Sequence, residues 1–378
     1  MKAAFCGFND NSYEEIWKLK KVTSVCLVFF LALLFFTGTA LADWPEYTGE
    51  MNDDFYVMLV DADSGRILYE HNSDEQIYPA STTKIMTCIV TLENASLDET
   101  VTIPAECDWR GRNGYSSLDI REGEEISMKD LLYGMMVVSG DDAADAIAIK
   151  VGGSIEGFVE MMNAKAKELG MDSSHFANAG GLDKEGPYVT VRDMAKLTVY
   201  AMKNPDFRDI VGRADYDMPE TNKQNARTVD TTNKLLDPEE DYYYEYATGI
   251  KTGSTPKAGG CLVSSAAKDG MNLICLVYGE SPSSKKQRWT ISKELLEWGL
   301  DDFRTIDVSP LLGGPVQAQV QGYTIDDEME GQLEFKLPEA GAAYVTLPKD
   351  AAQGLLDGTD SLEAVPAYDR ELAAPVAE

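Results

Sequence analysis

The sequence predicts an α+β fold, with helices packed on an antiparallel sheet and a small β-rich domain after it, on three observations. Strand-like runs begin at Phe55 and resume after Gly249, and the residues between them follow helical spacing, so the sheet is expected to pair strands from the two ends of one segment. After about Asp302 the chain turns to short alternating stretches such as V-Q-A-Q-V and L-E-F-K-L, rich in Gly and Pro and without a helical run. The length, 378 residues, suits about two domains of roughly 150 to 200 residues each.

Taken in order, the elements start with an address. Lys18, Lys20 and Lys21 precede an unbroken apolar run from Val25 to Phe36, and T-G-T-A-L-A ends at Ala42. A basic stretch, an apolar stretch and small residues at a cleavage point read as a secretory signal, and the run falls short of the roughly 20 residues that span a bilayer. The expected organisation is residues 1–42 as signal peptide, 43–303 as the α+β domain and 304–378 as a C-terminal β domain. That last domain ends in A-P-V-A-E with no closing strand, as a truncated one would.

Phe55–Val60, the turn D-A-D-S-G-R with Gly65 at its tip, and I-L-Y-E read as a β-hairpin. A helix is expected from Ser81 to Leu92, started by Pro79 and Ser81, with Ile85, Ile89 and Leu92 on one face. Ser127, with Asp130 three residues on, announces a second helix that breaks at Ser139-Gly140. A third stops at Gly152-Gly153, and others cover Phe158–Leu169 and Val191–Met202. G-C-L-V-S-S-A-A and M-N-L-I-C-L-V-Y, joined by K-D-G, read as a hairpin in which Lys268 opposes Met271, Cys275 opposes Ser264 and Cys261 opposes Tyr278. The helix I-S-K-E-L-L-E-W-G-L closes the domain, and the biased segment 237–246, D-P-E-E-D-Y-Y-Y-E-Y, reads as a polar surface loop in preference to a substrate-contacting rim.

Composition excludes several functions. With 33 Lys+Arg against 64 Asp+Glu the net charge is -31, which removes nucleic-acid binding, since neutralising phosphates needs a basic surface. Only His71 and His175 occur, in no metal-binding spacing, so neither a zinc hydrolase nor a cofactor is expected, and a nucleophile would need a base other than His. Without the signal, Cys88, Cys107, Cys261 and Cys275 remain; their number is too small for a disulfide scaffold and they are expected to be free and structural.

Three short motifs carry the chemistry: S-T-T-K at Ser81–Lys84, S-G-D at Ser139–Asp141 and K-T-G at Lys251–Gly253. Each alone is weak, but the set, in this order at a helix start, an inter-helix loop and a strand, is specific. Residues three apart at a helix start share a face, so the Lys84 amine reaches the Ser81 hydroxyl. A free lysine is protonated at neutral pH and useless as a base, so burial and a nearby cation, Lys251, must lower its affinity for the proton. The surrounding acidic field works against them. The backbone N–H groups of Ser81 and Ser254 are the expected oxyanion donors. Ser139 is expected to bridge the two lysines and pass a proton to the leaving amine, and Lys251 with Thr252 to hold a substrate carboxylate.

These residues resemble the penicillin-binding D-alanyl-D-alanine carboxypeptidases of the peptidase S11 family. The likeness covers most of Phe55 to about Phe303, through D-A-D-S-G-R-I-L-Y-E, P-A-S-T-T-K-I-M-T, L-L-Y-G-M-M-V-V-S-G-D-D-A-A, N-A-G-G-L-D, T-N-K-L-L, G-I-K-T-G-S-T and L-L-E-W-G-L. It implies a transpeptidase-like domain shared with serine β-lactamases and a serine acyl-enzyme that removes the terminal D-Ala from peptidoglycan pentapeptide stems outside the cytoplasmic membrane. It implies β-lactam antibiotics as acylating inhibitors, with Ser81 as nucleophile, Lys84 as general base, Ser139 as second serine and Lys251 as carboxylate binder. The sequence departs from the family at Asp141, where Asn is usual and an amide would also donate to substrate, and at Gly180, where His is frequent. No C-terminal amphipathic helix for membrane association is visible, and Arg288 is either a second carboxylate contact or a surface residue. Two rivals are a class A β-lactamase, which would need an E-x-x-L-N between Ser139 and Lys251 that is not found, and a non-catalytic cell-wall binding protein disabled by Asp141.

Overall fold

The computed structural model describes residues 44–183, 185–281, 287–308 and 344–357, with four further strand segments, Leu33–Phe36, Val316–Gln319, Gln332–Phe335 and Leu362–Val365. The chain packs as two units, residues 42–312 with 337–359, and residues 1–41 with 313–336 and 360–378. In the smaller unit Leu33–Phe36 pairs antiparallel with Leu362–Val365, and Val316–Gln319 with Gln332–Phe335, so both alternating stretches singled out after Asp302 contribute strands.

The larger unit is built on a five-stranded antiparallel sheet: β1 (Tyr56–Asp61), β2 (Ile67–His71), β3 (Ala247–Thr255), β4 (Gly259–Lys268) and β5 (Met271–Glu280), in the order β2-β1-β5-β4-β3. β1 pairs with β5, Tyr56 opposite Tyr278, so the two ends of the segment do share one sheet. Side chains alternate across each strand, and both faces are buried. Met58, Val60, Ile274 and Leu276 pack toward the helices between β2 and β3, whereas Val57, Leu59, Leu273, Cys275 and Val277 meet α7 (Gln287–Asp302) through Trp289, Leu295 and Leu296. Burial on both faces explains why M-N-L-I-C-L-V-Y shows no polar alternation.

Lys268 opposes Met271 and Cys275 opposes Ser264 as expected, but the ladder slips beyond Val277 and Glu280 pairs with Gly260. Gly279, at φ +85°, sits in the slip, and the expected pairing of Cys261 with Tyr278 gives way to this bulge. The two thiols nevertheless lie on opposite faces, and Cys88, Cys107, Cys261 and Cys275 are all free and buried.

Six helices cover one face: α1 (Lys84–Asn94), α2 (Met128–Val137), α3 (Asp141–Gly152), α4 (Ile155–Glu168), α5 (Val191–Ala201) and α6 (Pro205–Val211). Their starts are written locally. Ser127 accepts from the Asp130 N–H, Ser154 from that of Gly157 and Thr190 from that of Asp193, and Gly153 ends α3 in the left-handed region. The short helix α6 escaped the periodicity, although Asn204 caps it and Pro205 occupies its first turn.

Three expectations are corrected. The turn Ala80–Thr83 that opens the first helix is 3-10 rather than α, with no side-chain cap. The segment 237–246 is more than a polar loop: Tyr244 is buried, and Tyr242 and Tyr246 pack beside it on the α7 side of the sheet. Beyond Asp302 there is a helix after all. β6 (Phe303–Asp307) pairs with β7 (Tyr344–Pro348), and α8 (Lys349–Leu356) follows, burying Ala352 and Leu355 in a segment of two turns, too short for helical spacing to declare itself. The Thr305 hydroxyl donates to Asp61 at 2.8 Å, and Ser64 and Thr346 share a hydrogen bond, which seats β6 and β7 on the β1–β2 turn. Among the described residues no helix is long and apolar enough to cross a membrane.

Candidate active site

Three elements meet at the motifs. The first is the 3-10 turn running into α1. In a 3-10 turn residues three apart stack on one another, which places Lys84 directly over Ser81. Lys84 is fully buried, and its Nζ donates to Ser81 Oγ at 3.1 Å, to Asp141 Oδ1 at 2.6 Å and to the Gly180 carbonyl at 2.8 Å. An ammonium has three protons, so all are placed. Burial pushes Lys84 below the ordinary lysine range, and the carboxylates of Asp141, Asp145 and Asp142 oppose it.

The second element is the α2–α3 junction. Ser139 is buried and held at φ +67°, a left-handed backbone that turns the chain sharply from one helix into the next. The junction is clamped by the loop before α2. The buried Asp142 carboxylate accepts from the N–H groups of Leu118 and Ala143 and the hydroxyl of Ser117. Leu118 fits against Gly134, where a Cβ would lie 2.2 Å from it. Asp141 is fixed at both ends, its N–H donating to the Ser116 carbonyl at 2.8 Å and its Oδ2 accepting from the Ser116 N–H at 3.2 Å. Ser139 was expected to bridge the two lysines. The three Lys84 donors instead go to Ser81, Asp141 and Gly180, and Asp141, expected to face substrate, is the acidic partner of Lys84.

The third element is β3, the edge strand. Lys251 is buried with its Nζ on the Thr252 carbonyl at 3.1 Å. Burial and then the Lys84 ammonium push it well below the ordinary lysine range, against the pull of Asp141, so the two lysines and one carboxylate form a single electrostatic group. The Thr252 hydroxyl shares a 2.6 Å hydrogen bond with Thr232, from T-T-N-K-L-L. Gly253 has no side chain where a Cβ would stand 3.0 Å from the Ser81 nitrogen and 3.1 Å from the Ala80 Cβ. The strand therefore runs directly against the turn that carries Ser81, and the exposed Ser254 follows beside it.

A fourth element went unread as chemistry, although N-A-G-G-L-D marked it. Asn178 builds the loop, accepting from the N–H groups of Gly181 and Leu182, and Thr87 of α1 binds the Ala179 carbonyl at 2.7 Å. Gly181 stands at φ +87°, and a Cβ there would lie 1.8 Å from the Ala80 carbonyl oxygen. Gly181→Ala is expected to cost about 2–4 kcal/mol, from left-handed strain and from displacement of the 80–83 turn. Urea unfolding would show it as a lower midpoint with an unchanged slope.

The remaining candidates lie elsewhere. His71 is on β2 opposite Val57 and His175 bridges Tyr188, while the partner of Ser81 is Lys84. Arg288 is committed to Glu280: its N–H binds Oε1 at 3.0 Å and its guanidinium pairs with Oε2.

A serine on a buried lysine, with a second lysine on an adjacent edge strand, joins S-T-T-K to K-T-G in one site. The sequence profile of the D-alanyl-D-alanine carboxypeptidase family, peptidase S11, matches residues 50–281. This chain belongs to that family. As an S11 family member it is 31% identical over 292 residues to D-alanyl-D-alanine carboxypeptidase DacF of Bacillus subtilis, covering 76% of this chain and 72% of that one. It is 32% identical over 337 residues to DacC of Escherichia coli, covering 85% and 78%. Among solved structures it is similar to penicillin binding protein 5 of Haemophilus influenzae, with a TM-score of 0.66 at 28% identity over 80% of this chain and 85% of that one. It is likewise similar to the Streptomyces K15 DD-transpeptidase, with a TM-score of 0.59 at 32% identity over 65% and 96%. The fold of this S11 member is accordingly the α+β fold of the penicillin-binding proteins.

Proposed function

We propose that this S11 family member is a serine-type D-Ala-D-Ala carboxypeptidase that trims peptidoglycan pentapeptide stems and is acylated by β-lactams. The observation that carries this reading is the 3.1 Å hydrogen bond between a fully buried Lys84 and Ser81. Ser81 Oγ attacks the carbonyl carbon of the penultimate D-Ala as its proton passes to a neutral Lys84 Nζ. The oxyanion is met by the N–H groups of Ser81 and Ser254, which belong to elements in van der Waals contact at Gly253. The peptide C–N bond then breaks, and the leaving D-Ala nitrogen takes a proton from Lys84 Nζ, which received it from Ser81, with Ser139 as the proposed relay. Water hydrolyses the Ser81 ester. Lys251 and Thr252 hold the terminal carboxylate, so that only a chain end is accepted. Penicillin opens its lactam ring on the same serine.

This chemistry belongs outside the cytoplasmic membrane, and residues 1–42 have the composition to send it there. Cleavage after Ala42 would leave Leu362–Val365 without the strand Leu33–Phe36. The assay is release of D-Ala from a pentapeptide ending in D-Ala-D-Ala. One D-Ala is expected per peptide, and none from a peptide ending in an amide. Rapid hydrolysis of benzylpenicillin without peptide cleavage would favour a β-lactamase instead.

A further inference from the structure

The two places where the sequence leaves the family pattern touch each other. A Cβ on residue 180 would lie 2.8 Å from Asp141 Oδ1 and 3.7 Å from Lys84 Nζ. Gly180 therefore provides the space that the carboxylate oxygen occupies while it accepts from Lys84 at 2.6 Å, and the Gly180 carbonyl takes another Lys84 proton at 2.8 Å. Asp141 does not reach Lys84 by chance of rotamer, because its other oxygen and its own N–H are both held by Ser116.

We propose that Asp141, admitted by Gly180, is a positioning residue that holds the proton on Lys84 in the free protein and so sets the pH above which Ser81 is activated. The inference rests on the reading of Ser81 and Lys84 as nucleophile and base. Attack by Ser81 Oγ forms the O–C bond while its hydrogen moves to the lone pair of Lys84 Nζ, so Lys84 must first have lost its third proton. A carboxylate at 2.6 Å opposes that loss, and an amide in its place would not. The other charged groups facing Lys84 are Asp142 and Asp145, also from α3, and Lys251 from β3. Asp142 is turned into the 117–120 loop, Asp145 acts on Lys84 through its field, Lys251 pushes the opposite way, and Asp141 is the carboxylate that accepts directly from Lys84, at 2.6 Å. The loop 178–181 presents Lys84 with a carbonyl and no titratable side chain.

The test is the rate of acylation by benzylpenicillin as a function of pH for the full-length protein, Asp141→Asn, Gly180→Ala and the double variant, each checked by thermal melting. Asp141→Asn keeps the size and removes the charge; its Oδ1 can still accept from Lys84, while Nδ2, a donor, gives up the bond from the Ser116 N–H, and its acylation limb is expected to rise about 1–3 pH units lower than in the wild type. Gly180→Ala pushes the carboxylate off Lys84 and is expected to shift the limb in the same direction by less. In the double variant Gly180→Ala adds no further shift, which a general loosening of the site would not reproduce. An adduct that forms in both Asp141→Asn and Gly180→Ala with unmoved midpoints overturns the proposal and leaves the acyl-enzyme reading standing. Absence of a wild-type adduct at every pH overturns both.

Discussion

Replacing Lys84 by alanine is expected to slow acylation by benzylpenicillin about a hundred- to ten-thousandfold, the usual worth of a positioned general base. The geometry leaves Ser81 little alternative. Lys84 holds the Ser81 hydroxyl at 3.1 Å, the histidines lie on β2 and at the bridge to Tyr188, and Asp141 reaches Ser81 only through the lysine. The variant also strands Asp141, a buried carboxylate whose cationic partner has gone, so a loss of stability is expected alongside the loss of rate. Lys84→Arg separates the two effects. It restores a cation beside Asp141 but cannot act as a base at neutral pH, so it should recover stability without recovering acylation. Stopped-flow acylation and urea unfolding, made on the same samples, report the pair. Wild-type acylation by Lys84→Ala would remove the lysine from the mechanism.

The second large effect is at Lys251. Lys251→Ala is expected to lower kcat/KM for a peptide with a free terminal carboxylate by about 30- to 1,000-fold, the roughly 2–4 kcal/mol of a desolvated charge contact, with most of the change in KM. Lys251 is buried beside another lysine, and both influences favour its neutral form in the free protein. An arriving carboxylate reverses the balance, so binding takes up a proton. Work is then required as the pH rises through the depressed Lys251 value, and KM for the carboxylate substrate should climb with pH while that for a neutral ester analogue stays flat. The same depression has a consequence for folding. The unfolded chain carries Lys251 protonated up to its ordinary range and the folded chain does not, so on this account stability increases with pH across that window. A KM that is insensitive to pH, or equal for acid and ester, would take Lys251 out of carboxylate binding.

Both lysines were legible in the sequence, because S-T-T-K and K-T-G fix the identity and the local spacing of the groups, and Pro79 with Ser81 marks the start of the helix that carries Lys84. The sheet pairing was legible too, since strand-like runs at Phe55 and after Gly249 flank a stretch of helical spacing, which leaves strands from the two ends of the segment to share one sheet. What stayed hidden depended on contacts between distant segments. The carbonyl of Gly180 reaches Lys84 from 96 residues away, as a backbone group with no residue type to announce it. Asp141 was visible as a departure but its partner was not, because whether a carboxylate faces substrate or a buried lysine is decided by the loop at Ser116 that orients it. The bulge at Gly279 and the helix Lys349–Leu356 were missed for a local reason. A one-residue slip leaves the hydrophobic pattern intact, and a two-turn helix needs only two buried positions, Ala352 and Leu355.

Whether Ser81 is the nucleophile of an acyl-enzyme is decided by mass spectrometry of the protein incubated with benzylpenicillin and then digested. An acyl-enzyme on Ser81 raises the intact mass by one whole penicillin, carried entirely by the peptide containing Ser81 and missing from Ser81→Ala. An adduct on any other residue, or an unmodified protein in a solution from which penicillin has disappeared, would contradict it.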